Sequence, residues 1–148
     1  MRTKLFPFII AGLVLALDQL LKHAVVSRLG LGESFPILPG LLYLSRIHNT
    51  GSAFGILRGQ NLILTFLVGA ISLGIVWALH RGVFRGHWER IGGGLVLGGA
   101  LGNLIDRLIR GYVVDYLDFR FFPAFNLADA SVVVGAVLVA AGVLWRRR

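Results

Sequence analysis

Three aspartates, Asp115, Asp118 and Asp129, stand in the stretch "VVDYLDFRFFPAFNLADASVVVG", at the mouth of an apolar run that reaches almost to the C-terminus. The whole chain has only seven acidic residues among 148. Two carboxylates held close together do not both ionise cheaply. One keeps a proton, and the pair can then activate a water and protonate a leaving amine. That is aspartic-protease chemistry, and it needs neither metal nor cofactor. The pair singled out is Asp115 and Asp129, fourteen residues apart, with Asp118 and Asp106 as rival acids.

Other chemistries fit poorly. There are no cysteines, which excludes disulfides, thiol catalysis and thiolate metal sites. The four histidines, His23, His48, His80 and His87, are dispersed, and neither H-E-x-x-H nor G-x-S-x-G occurs. A serine–lysine pair of Ser52 and Lys22 rests on residue type alone. No metal and no cofactor are expected.

The acids must be positioned by elements suited to lipid. Hydrophobic residues make up 56% of the chain and charged residues 15%, against about 25% charged in a typical soluble domain. A hydrocarbon core of about 30 Å takes roughly 20 apolar residues as helix. Four such spans are expected, at about 5–21, 62–79, 91–109 and 127–145, in one all-α membrane domain covering residues 1–148. The first resembles a signal peptide, but "LALDQLLKH" puts an acid and a base where a cleavage site needs small residues, so the helix is expected to be retained. With four spans the N-terminus, the loop around 80–90 and the C-terminus share one side and carry eight of the fifteen basic residues. Lys22 and Arg107 lie beside acids at span ends and are set aside as site residues. The remaining bias puts both termini in the cytoplasm. The net charge of +8 is then topology and contact with anionic lipid, not nucleic-acid binding. Residues 23–61 form an external loop with β-prone pieces such as "LLYLSRI", giving a small sheet or amphipathic element outside the membrane. Residues 110–126 form a second external loop, with Asp115 in it.

This topology gathers polar residues in one layer at the outer ends of the spans: Asp18, Lys22, Asn103, Asp106, Arg107, Asn126 and Asp129. Charge at that depth costs about 2.5–3.5 kcal/mol on insertion scales, so several together point to a site. Each also has a plain structural account. Asp18 and Lys22, four apart, can form a helical ion pair. Asp106 can brace Arg107. Asn126 and Asp129 have the layout of a capping box, and Asp115 alone would pass for a turn residue. Gly94, Gly98 and Gly102 recur every four residues and let helices approach closely; packing within one bundle is expected rather than a homodimer seam, so the chain is expected to be a monomer.

The motifs that hold these residues also resemble those of the bacterial lipoprotein signal peptidases, or signal peptidase II. "LDQLLK" (17–22), "HNTGSAFG" (48–55), "GGALGNLIDR" (98–107), "VVDYLD" (113–118) and "FNLADA" (125–130) follow the family's order along nearly the whole chain. The resemblance implies an intramembrane aspartyl endopeptidase of the inner membrane, with its site near the periplasmic face. It would cut prolipoproteins just before their diacylglyceryl-modified cysteine. It implies Asp115 and Asp129 as the catalytic pair. Asp18, Lys22, Asn49, Asn103, Arg107 and Asn126 would be support and substrate contacts. In "NTGSAFG", Gly51 would let the loop approach the substrate and Phe54 would give an apolar contact. The expected partners are a lipidated prolipoprotein and membrane lipids. Two other classes compete: a proton-coupled transporter relaying through Asp18, Asp106 and Asp129, and a non-enzymatic bundle. A relay needs acids staggered across the membrane, and a passive bundle leaves the clustered acids unexplained.

Overall fold

A computed structural model describes residues 2–51 and 59–146. Four helices and three strands follow in the order α1 (Arg2–Arg28), β1 (Ser34–Leu38), β2 (Leu42–Asn49), α2 (Asn61–His80), α3 (His87–Arg110), β3 (Val113–Asp118) and α4 (Leu127–Arg146). α3 stands at the centre, with α1, α2 and α4 packed against it. Its glycines make that possible. A Cβ on Gly98 would stand 2.7 Å from the Ala11 carbonyl oxygen of α1. One on Gly102 would stand 2.5 Å from Asp18 Oδ2. The glycine row is therefore spent on contacts inside this chain, as the sequence suggests.

Three helices, over Lys4–Arg28, Asn61–His80 and Leu127–Arg146, are long and apolar enough to cross a membrane. The expected first span ends at residue 21, broken near its end by Asp18 and Gln19, but α1 runs on to Arg28. It can do so because those polar side chains are satisfied inside the bundle, Asp18 by Lys22 and the Ala128 N–H of α4, and Gln19 by the Gly102 carbonyl of α3. The expected third span lies within α3, which falls outside that apolar group. Its glycines and its polar residues, Asn103, Asp106 and Arg107 among them, dilute its hydropathy, and its apolar company comes from the three helices around it.

The small sheet lies at the end of the bundle where α1 and α3 finish. Its strands are antiparallel in the order β1-β2-β3. "LLYLSRI" does fall largely in a strand, β2. The external loop expected to carry Asp115 does not: Asp115 sits inside β3, opposite Ile47 of β2. Gly111 explains how the chain gets there. It takes a left-handed conformation, φ 78°, and its N–H caps α3 by donating to the Arg107 carbonyl, so helix turns to strand within two residues. Val114 and Tyr116 of β3 pack on Val25 of α1, which fixes the strand against the bundle.

Candidate active site

Two carboxylates line one cavity of 1130 Å³, Asp115 from β3 and Asp129 from the first turn of α4. Asp129 is held by the start of its helix. Its N–H donates to Asn126 Oδ1 at 2.9 Å, and its Oδ2 accepts from the Asn126 N–H at 3.2 Å. This is the reciprocal capping box legible in "NLAD". The other free N–H groups of that turn go elsewhere: Leu127 donates to the Tyr116 hydroxyl and Ala128 to Asp18 Oδ1, both at 3.0 Å. Its own cap and two other elements, β3 and α1, thus pin the end of α4 that carries Asp129.

Asn126 also joins the two acids. It is fully buried, and its Nδ2 donates to Asp115 Oδ1 at 2.7 Å and to the Val114 carbonyl at 3.2 Å. The second oxygen of Asp115 accepts from Asn49 Nδ2 at 2.9 Å. The second oxygen of Asp129 accepts from Asn103 Nδ2 at 2.7 Å. Both carboxylates are therefore held by neutral amide donors. Burial, and next the charge of Asp129, push the Asp115 carboxyl up to about 7, while the amides of Asn49 and Asn126 pull the other way. A carboxyl with that value titrates near neutral pH, as a general acid or base should.

Beneath the pair lies a buried ionic cluster. Lys22 Nζ meets Asp18 Oδ2 at 2.8 Å, Asn103 Oδ1 at 2.9 Å and Asp106 Oδ2 at 3.1 Å, so all three ammonium hydrogens have acceptors. Lys22, Asp18 and Asp106 are each 0% exposed. Asn103 links cluster to site: its oxygen faces Lys22 and its amide faces Asp129. The i, i+4 pairing of Asp18 and Lys22 is as the sequence suggests. Asp106 is different. Expected to brace Arg107, it pairs with Lys22 and Arg110 and accepts from the Val114 N–H at 3.0 Å. Adjacent helical residues point apart, so Asp106 and Arg107 look in different directions.

The remaining candidates fall around the cavity. Arg107 donates to the Gly51 carbonyl at 3.2 Å, and the Gly51 N–H donates to Asn49 Oδ1 at 2.9 Å. Arg107 thus tethers the chain leaving β2 to α3. Phe54 and Ser52 lie outside the described residues. Asp118 is three places from Asp115 on one strand and so faces the other way. It is engaged by Ser45 Oγ at 3.1 Å and the Arg120 N–H at 2.8 Å. Gln19 was not singled out in the sequence, yet its Nε2 contacts the Gly102 carbonyl at 3.0 Å and both cluster acids. Its one signal was its place between Asp18 and Lys22. His48 stacks on Tyr112 at 3.6 Å, and burial, with Arg46 and Arg110 nearby, lowers its pKa. Among the described residues no three of His, Cys, Asp or Glu group as a metal site would require.

Comparison with known proteins places the chain in a family. Residues 10–145 match the family described as Signal peptidase (SPase) II. The chain is 45% identical over 134 residues to a lipoprotein signal peptidase of Halothermothrix orenii, covering 89% of this chain and 90% of that one. It is 44% identical over 143 residues to one of Shouchella clausii, covering 95% and 94%. Among solved structures, a bacterial membrane enzyme determined by the in meso method at 2.3 Å resolution superposes with a TM-score of 0.87 at 31% identity, covering 94% of this chain and 87% of that one.

Proposed function

The chain belongs to the signal peptidase II family, and from that premise we propose that it is an intramembrane aspartyl endopeptidase in which Asp115 and Asp129 are the catalytic pair. Its substrate is a prolipoprotein carrying a diacylglyceryl-modified cysteine, and the bond cut is the one just before that cysteine. All four helices cross the inner membrane, both termini face the cytoplasm, and the pair sits at the periplasmic lip of a monomer.

The observation that carries the mechanism is Asn126, which donates to Asp129 from its backbone and to Asp115 from its side chain. One buried residue in contact with both carboxylates supports their sharing one proton. The ionised member takes a proton from water, and the water oxygen attacks the scissile carbonyl carbon. The protonated member gives its proton to the carbonyl oxygen, forming a neutral gem-diol. The acid formed in the first step then protonates the amide nitrogen, and the other member recovers a proton from the gem-diol as the C–N bond breaks. Both carboxyls return to their starting states, and no metal is required. Asn49, Asn103 and Arg107 supply polar groups for the backbone of a peptide entering from lipid, where unpaired groups are costly.

A proton relay is disfavoured by the spacing of acids. Glu89, at the far end of α3, lies seventeen residues from Asp106, about 25 Å along the helix. It is engaged there by Arg146 and the Arg85 N–H. The test of the function is cleavage by the purified protein of one precursor in two forms, with and without its diacylglyceryl group. Cleavage of the lipidated form only is expected. Cleavage of neither, or of both equally, would refute the assigned substrate.

A further inference from the structure

Below the two aspartates the bundle is split. α2 and α4 both pack on α3, yet among the described residues no Cα of α2 comes within 8 Å of a Cα of α4. Ala100, Val96 and Gly93 of α3 form the floor of the gap. Its upper part is the cavity of the aspartates. Its lower part is a chamber of 300 Å³ that shares Val96 with the upper one and is lined by apolar residues throughout. Phe84, from the turn joining α2 to α3, stands at the far end, packed against Gly93.

The dimensions select an occupant. From Asp129 to Ala140, the deepest α4 residue lining the chamber, is eleven residues, or about 16 Å of helix. That is close to half of the roughly 30 Å hydrocarbon core, the depth to which one leaflet's acyl chains descend. A signal-peptide helix is about 10 Å across and must continue to the opposite face; this chamber is too small for it and ends halfway. Among the described residues its lining is wholly apolar, which suits neither a headgroup nor an extended peptide.

We propose that the lower chamber seats one acyl chain of the substrate's diacylglyceryl group, with Phe84 setting the length of chain it takes. This rests on the peptidase reading above. The chain is tethered to the cysteine beside the scissile bond, so its entry is an intramolecular step with a high effective concentration. Within lipid, apolar burial alone drives nothing, and packing fit does the selecting. Discrimination should therefore depend on chain length.

The test uses the full-length protein in micelles and one lipopeptide precursor bearing two palmitoyl or two octanoyl chains. Ala140→Phe pushes a ring into the chamber about 16 Å below Asp129, from an exposed position on α4 that the fold does not need. The expected result is a kcat/KM for the palmitoyl precursor lower by about tenfold, a change carried by KM because the lost contact is one of packing. The octanoyl precursor, too short to reach the ring, should be cleaved as by the wild type. Equal loss on both precursors, or no loss on either, would overturn the subsite while leaving the peptidase reading intact. Failure of the wild type to cleave either precursor would overturn both.

Discussion

Replacing Asp115 with asparagine should make the protein more stable, and only at a pH where the native carboxyl is forced to ionise. Asp115 is 2% exposed, and its carboxyl is raised from 3.8 to about 7, by burial first and by Asp129 second. A raised acid binds more protons in the folded state than in the unfolded state between those two values. Its contribution to stability is therefore favourable at low pH and is lost as pH rises from about 4 to about 7. At 1.36 kcal/mol per pH unit the loss amounts to roughly 4 kcal/mol, fully developed by about pH 8. Asparagine resembles the protonated acid in shape and charge and does not titrate. Differences of hydrogen bonding between Asp115→Asn and wild type are common to all pH values, so the change between pH 4 and pH 8 isolates the ionisation. Thermal unfolding in detergent micelles reads it. The variant should gain about 10 °C over wild type at pH 8, taking 2–4 °C per kcal/mol, and about 2 °C or less at pH 4. An equal difference at both pH values, or a wild type that is the more stable at pH 8, would refute the reasoning.

Lys22→Met should destabilise the protein by about 3–5 kcal/mol, because it leaves Asp18 and Asp106 buried without their shared cation. Adding Asp18→Asn should restore part of that loss, and chemical unfolding of the single and double variants would show it; a double variant no better than the single one counts against the cluster. Gly98→Val would force α1 and α3 apart where a Cβ has 2.7 Å to the Ala11 carbonyl, costing about 1–3 kcal/mol or more in the same unfolding assay. Unchanged stability would mean that the two helices do not meet as described.

Residues coupled locally were the legible ones. The Asn126–Asp129 box and the Asp18–Lys22 pair lie three and four residues apart, spacings a helix brings together whatever the rest of the chain does. Proximity in sequence suggests Arg107 as the partner of Asp106, and Lys22 and Arg110 take that place instead. Its true contact with Lys22 depends on how closely α1 crosses α3, which Gly98 and Gly102 decide. The sequence puts Asp115 in a loop because residues 110–126, between two expected spans, look like a connection. The strand exists only because β2, some seventy residues earlier, lies beside it. The joining role of Asn126 followed from that same pairing, so the capping motif was visible and its reach to Asp115 was not. Hydropathy makes α3 one span among four; its central place reflects glycines on more than one face, which hydropathy does not register.

The most direct measurement is the rate at which Asp115→Asn and Asp129→Asn, each purified and folded, release the signal peptide from a diacylglyceryl-modified precursor. Loss of about 10⁴-fold or more in kcat for each variant alone is the predicted result, since neither carboxyl can do the work of the pair. Turnover within tenfold of wild type by either variant would contradict it.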